Sequence, residues 1–225
     1  MDASFAQYIL LITDEWSISR PFALREIMSL PNLKIPGLEF QALVGQGAHS
    51  VVYRAQREGV DYAVKIPKVD ELDNDERRLA FVREAAIVAQ VKHEVLPQVF
   101  EVGEADGCPY LVMEFMGGAV LGSEIEGDVL RQDVVRGIAL DIASALSSLH
   151  KASIIHRDIK PRNVIITEQG RARVIDYGIS SALDSQSELM VAGTFQYAAP
   201  EQTGMLERPV DGRADLYALG VLMFE

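Results

Sequence analysis

The chain has 225 residues, 48% of them hydrophobic and 24% charged, a globular mix with room for one large domain or two small ones. Its formal net charge of −12 at pH 7 argues against nucleic acid or anionic membrane as a main partner, because both select basic surfaces. The single cysteine, Cys108, excludes an internal disulfide framework and fits a reducing compartment, so the expected location is the cytoplasm.

Residues 1–35 carry no motif. Their longest apolar run, residues 8–12, is too short to span a bilayer and has no basic region before it, so neither a membrane segment nor a signal peptide is expected. Residues 15–30 have helical character broken by Pro21, and 31–37 (PNLKIPG) read as a linker. Residues 1–37 are therefore expected to be an extension ahead of a domain that starts at residue 38.

From Glu39 the pattern turns to strands. Residues 39–44 lead into Gly45-Gln46-Gly47-Ala48-His49-Ser50, and 51–55 follow as a second strand. A dinucleotide-binding fingerprint would need its glycines to open a helix, and no G-K-[ST] follows, so a Walker A loop is excluded. Taken alone, the hairpin is an ordinary glycine turn. After Glu58-Gly59, residues 62–66 form a third strand whose alternation puts Ala63 and Lys65 on one face. A lysine between apolar neighbours is, by itself, a snorkelling residue.

Asp73-Asn74-Asp75 can cap a helix running to about Lys92, on which Phe81, Ala85 and Val88 share a face with Glu84. A carboxylate on that face is costly unless paired. Residues 99–103 and 110–115, joined through Glu104-Ala105-Asp106-Gly107, complete an antiparallel sheet of about five strands. Residues 131–151 are the clearest helix, with Val135, Ile138, Ile142, Ala145 and Leu149 in helical spacing. Residues 164–167 and 173–175 form a short hairpin around Glu168-Gln169-Gly170.

Between that helix and that hairpin lies His156-Arg157-Asp158-Ile159-Lys160-Pro161-Arg162-Asn163, and directly after the hairpin comes Asp176-Tyr177-Gly178. A carboxylate, an ammonium and an amide on one short loop can move a phosphoryl group: the carboxylate orients a hydroxyl, the lysine offsets phosphate charge, and the amide oxygen ligates a metal. HRDIKPRN followed by DYG resembles the catalytic loop and DFG motif of the protein kinase family. Ala199-Pro200-Glu201 is similar to the A-P-E that closes that family's activation segment, and residues 215–220 (DLYALG) to the start of the large lobe's central helix, whose Asp215 would hold the catalytic loop's backbone.

The resemblance implies roles for the remaining motifs. Asp158 orients the substrate hydroxyl, Lys160 and Asn163 complete the catalytic loop, and Asn163 with Asp176 holds Mg²⁺. ATP would be contacted by Val44, Gly45, Gln46, Gly47, Ala48, His49, Ser50 and Val52 of the glycine hairpin, by Ala63 and Lys65, with Glu84 bracing Lys65 in an ion pair, and by Met113, Glu114 and Met116. Met113 stands at the gatekeeper position, Glu114 to Met116 form the hinge, and Gly117-Gly118 permit the crossover to a second lobe. Residues 179–199 are the activation segment, with Ser180, Ser181, Ser185 and Ser187 ahead of Gly193-Thr194; none is singled out as a phosphosite, and Arg157 is the arginine that binds an activation-loop phosphate in many members.

Some features depart from the family. Ser50 replaces the third glycine of the loop and Tyr177 the phenylalanine of DFG. Residues 216–224 are apolar nearly all round, the pattern of a helix buried on every side, and the sequence stops at Glu225. The family's later helices are missing, as is the later arginine that pairs with the A-P-E glutamate, so Glu201 is expected to lack that partner.

The expected fold is α+β and bilobal: a five-stranded antiparallel small lobe with one helix over 38–116, and an incomplete, mostly helical large lobe over 117–225. The expected activity is ATP- and Mg²⁺-dependent phosphorylation of serine or threonine hydroxyls in proteins, the chain itself included; Lys160 and Thr194 favour serine or threonine over tyrosine. Two alternatives stay open: an ATP-binding pseudokinase or scaffold, and a small-molecule phosphotransferase. The A-P-E run and serine-rich segment point away from the second.

Overall fold

A computed structural model describes residues 31, 33–47, 49–68, 72, 75–124, 130–176 and 195–225, with the backbone alone for Ser123 and Glu124. Outside the described residues fall the helix expected over 15–30, Ala48, the cap residues Asp73 and Asn74, Tyr177 and Gly178, and the segment 179–194 with its four serines and Thr194. All that follows concerns one compact unit, Asn32–Glu225.

Five antiparallel strands, β1 (Glu39–Gln46), β2 (Ser50–Arg57), β3 (Val60–Pro67), β4 (Val99–Ala105) and β5 (Cys108–Glu114), form one sheet in the order β1-β2-β3-β5-β4. Two-residue turns set the register of two of its hairpins. Glu58 and Gly59 join β2 to β3 at φ 52° and 80°, and Asp106 and Gly107 join β4 to β5 at 51° and 77°. Turns with two positive φ values match the twist of the strands they connect.

Alternation divides the sheet residues between two apolar clusters. One face places Ala63, Leu111 and Met113 against Phe81, Ala85 and Val88 of helix α1 (Asp75–Val88). The other buries Tyr53, Ala55, Val64, Ile66, Tyr110 and Val112 with Ile35 and Leu38. The segment carrying Ile35 is tied down by Arg57, which donates to the carbonyl of Pro36 and to Glu101, both at 3.1 Å. α1 ends earlier than the expected Lys92. Its last turns tighten, with Gln90 donating to Ile87 and Val91 to Val88, both at 3.0 Å, and Val91, Val95 and Leu96 turn into the core.

After β5 the chain crosses to the second lobe. Strand β6 (Ala119–Val120) pairs with β7 (Val164–Ile166), which pairs with β8 (Ala172–Val174). Gly118 permits the crossing: its φ is 143°, and a Cβ there would run into the backbone oxygen of Ile166. A short helix, α2 (Leu121–Glu124), precedes the long α3 (Gln132–Lys151), which buries Ile138, Ile142, Ala145, Leu146 and Leu149 on one stripe. The apolar cluster on the α1 side of the sheet runs on through these residues to Ala218 and Leu222 of helix α4 (Arg213–Phe224). The opposite side of α4 is open, with Leu216 54% and Phe224 93% exposed. Among the described residues no helix is long and apolar enough to cross a membrane.

Candidate active site

The sheet brings the small-lobe candidates onto one floor. Gly45 lies opposite Val52, Val52 opposite Lys65, and Ala63 opposite Met113. The hairpin closes tightly, with the Gly47 N–H on the Ser50 carbonyl at 2.9 Å. A Cβ at Gly45 or Gly47 would meet nothing closer than 3.7 Å. The fold itself therefore has no steric need for glycine at either position, whereas a ligand lying against the loop would have one.

The large-lobe candidates converge around the turn Pro161–Asn163, a single 3₁₀ turn. Asn163 donates its side-chain amide to the Asp158 carbonyl at 2.7 Å and to Asp158 Oδ2 at 2.9 Å. This turns the amide's acceptor end away from Asp158, and that end is the one able to ligate a cation. Lys160 Nζ lies 2.8 Å from Asp158 Oδ2, on the same carboxylate. Asp158, Lys160 and Asn163 thus form one hydrogen-bonded group.

A buried carboxylate holds the loop in shape. Asp215, fully buried at the start of α4, accepts the N–H of Arg157 at 2.7 Å and of His156 at 2.9 Å. His150 of α3 reaches the same carboxylate through Nε2 at 2.7 Å. Arg157 sits at φ 65°, a left-handed conformation that costs energy in a non-glycine residue and needs such anchoring. The Nδ1 of buried His156 accepts the N–H of Asp158 at 3.3 Å.

The β7–β8 hairpin then returns the chain. Ile175 donates its N–H to the Asn163 carbonyl at 2.9 Å, which brings Asp176 back to the loop. From there Asp176 Oδ1 meets Lys65 Nζ at 2.5 Å. Lys65, 3% exposed, holds the carboxyl of Asp176 below the usual carboxylate range against the opposing effect of burial. This corrects one expectation: the ion pair of Lys65 is with Asp176 and not with Glu84. Glu84 is half-buried on α1, beside Phe81 and Ala85 as expected. A buried ammonium takes the carboxylate the packing puts nearest, and the hairpin delivers Asp176.

Glu201 has a partner that no motif marks. Its carboxylate is met by Arg208 at 2.8 Å, and hydrogen bonds from that guanidinium lower its pKa. The loop after Glu201 folds back on the A-P-E run, with Met205 and Leu206 donating to the Pro200 carbonyl. Gln202 ties the same run to the catalytic loop by donating to the Arg157 carbonyl at 2.9 Å. Sequence reading missed Arg208, Gln202 and the role of His150, and no local pattern marks them.

Asn163 and Asp176 offer an amide oxygen and a carboxylate. Among the described residues no group of three or more His, Cys, Asp or Glu side chains is placed to hold a metal ion. Such a sparse oxygen set fits Mg²⁺, which keeps its waters and leans on substrate phosphates, and does not fit a tetrahedral zinc centre.

The protein kinase domain family matches residues 38–225. Among curated proteins the chain is 36% identical over 200 residues to a probable serine/threonine-protein kinase of Clostridium perfringens, covering 85% of this chain and 29% of that protein. It is 39% identical over 201 residues to a probable serine/threonine-protein kinase PknB of Bifidobacterium longum, covering 81% of this chain and 29% of that protein. The chain thus spans under a third of the length of these relatives. Among solved structures it is similar to the Mycobacterium tuberculosis PknI kinase domain, with 29% identity, a TM-score of 0.66, and 87% of this chain and 76% of that one covered.

Proposed function

The chain belongs to the protein kinase family, and on that footing we propose that it transfers the γ-phosphoryl group of ATP to serine or threonine hydroxyls of proteins, itself among them. The observation that carries this reading is the shared carboxylate of Asp158, which Lys160 and Asn163 both hold within 2.9 Å. Residues 38–225 are the phosphotransfer domain in this reading, and residues 1–37 an extension ahead of it.

In this mechanism Asp158 accepts the substrate hydroxyl's proton and aims its oxygen at the γ-phosphorus. Lys160, bonded to the same carboxylate, offsets charge on the transferring group. Asn163 and Asp176 would hold Mg²⁺, which when bound neutralises charge on the β- and γ-phosphates. Lys65 orients the α- and β-phosphates, and the backbone of Gly45 to Ser50 lies over them. The backbone of Glu114 to Met116 binds adenine, and Met113 lies behind it. Most of the acceleration comes from positioning and fixed charge, since phosphoryl transfer leaves the protein little covalent work.

The test is incubation of the purified chain with labelled ATP and Mg²⁺, with and without a serine-containing protein, beside an Asp158→Asn control. Label in protein that the control lacks is the expected result. Nucleotide binding with no transfer to any protein would replace this reading with that of an ATP-binding scaffold.

A further inference from the structure

One contact joins the two lobes behind the nucleotide site and has no part in the roles given above. Arg173, the middle residue of β8, donates from Nη2 to Glu114 Oε2 at 2.8 Å and reaches the Leu96 carbonyl at 3.5 Å. Glu114 is the last residue of β5. Its Oε2 also accepts the N–H of Gln98 at 3.2 Å, while its own N–H donates to the Gln98 carbonyl at 2.8 Å. Val174, next to Arg173, donates to the Val95 carbonyl at 2.8 Å. Three segments are thereby fastened together: β8, the loop 95–98 after α1, and the start of the hinge.

We propose that Arg173 is a positioning residue for ATP: by holding the Glu114 side chain it fixes residues 114–116 relative to β8, and so relative to Asp176. The Glu114 N–H is already taken by Gln98, which leaves its carbonyl as the backbone group able to meet a purine. β8 leads directly into Asp176, the carboxylate at the metal end of the same nucleotide. A guanidinium between them sets how the adenine end of the site stands against its phosphate end. An isolated surface ion pair would contribute little. Here the guanidinium has a second acceptor and the carboxylate a second donor, and the side chains are only 22% and 36% exposed. Such a network acts as a unit and rigidifies what it holds. A hinge already ordered spares the ligand the cost of ordering it.

This inference rests on the kinase reading, and the experiment separates the two. Binding of a fluorescent ATP analogue is titrated, and KM for ATP and kcat are measured, for the unaltered chain and for Arg173→Met, Arg173→Lys, Glu114→Gln and the Met/Gln double variant. Arg173→Met should weaken nucleotide binding about tenfold, the scale of a lost charged hydrogen bond, with a smaller change in kcat than in KM. Arg173→Lys should recover most of the loss, since an ammonium can still reach Glu114. Glu114→Gln should match Arg173→Met, and the double variant should be no weaker than either single one. Unchanged binding in Arg173→Met overturns the proposal, even if that variant is less stable, and so do additive losses in the double variant. An unaltered chain that binds no nucleotide overturns the kinase reading and takes this inference with it. A chain that binds normally while every variant does the same overturns this inference alone.

Discussion

Lys65 and Asp176, 111 residues apart in the chain, meet at 2.5 Å across the cleft. The ammonium is almost fully buried, and burying it would be costly without this carboxylate beside it. Lys65 lowers the pKa of Asp176, so the sign is that of a depressed carboxylate. Its contribution to stability is complete above the unfolded pKa of about 3.9 and is lost as pH falls through the lower folded value. Asp176→Asn should therefore flatten the acid limb of a pH–stability curve below about pH 4. The same variant should abolish Mg²⁺-dependent phosphotransfer. Thermal melts between pH 2 and 7 check the first outcome, and an unaltered acid limb would mean that the pair adds nothing to the fold.

Asp158→Asn removes the proton acceptor and keeps the shape that Lys160 and Asn163 recognise. Transfer should fall by about 10²- to 10⁴-fold, the range for loss of a general base, while affinity for an ATP analogue stays near that of the unaltered chain. Label incorporation set beside an analogue titration reads both quantities. Loss of binding in step with transfer would move Asp158 from chemistry to architecture.

Two glycines should answer oppositely to alanine. At Gly47 the nearest atoms to a new Cβ lie at 3.7 Å, so Gly47→Ala should leave the melting temperature within about a degree and raise KM for ATP. At Gly118 the φ is 143° and the Ile166 backbone stands in the way, so Gly118→Ala should lower the melting temperature by several degrees. Equal destabilisation in both would show that Gly47 serves the fold rather than a ligand.

Glu201 and Arg208 should behave as one unit. Glu201 is buried and its partner is in the loop that follows it, so Arg208→Met leaves a carboxylate without its counter-charge. Either Arg208→Met or Glu201→Gln should lower the melting temperature, and the pair together should cost less than the sum of the two. A strictly additive result would separate Arg208 from the anchoring of the A-P-E run.

Much of the site could be read from residue order, for a local reason. Asp158, Lys160 and Asn163 are on one short loop, so chain geometry alone keeps them close, and one 3₁₀ turn closes the group. The strands were legible because β-branched runs alternate and are separated by Glu58-Gly59 and Asp106-Gly107, whose glycines take the positive φ the turns require without strain. The floor of Gly45, Val52, Ala63, Lys65 and Met113 follows from that register, since a period of two leaves each side chain one face to choose.

The pairings between charged groups were not legible in the same way. Lys65 was expected on Glu84 and is on Asp176, Glu201 has Arg208, which no motif marks, and no sequence pattern pairs Arg173 with Glu114. Backbone pattern and turn chemistry act over a few residues, so residue order determines the elements and the catalytic loop. A charge has no such range limit along the chain: it pairs with whichever opposite charge the packed core carries to within about 3 Å. Which carboxylate arrives at Lys65 or Arg173 is settled only when both lobes have closed on their shared apolar cluster, and that is a property of the tertiary structure.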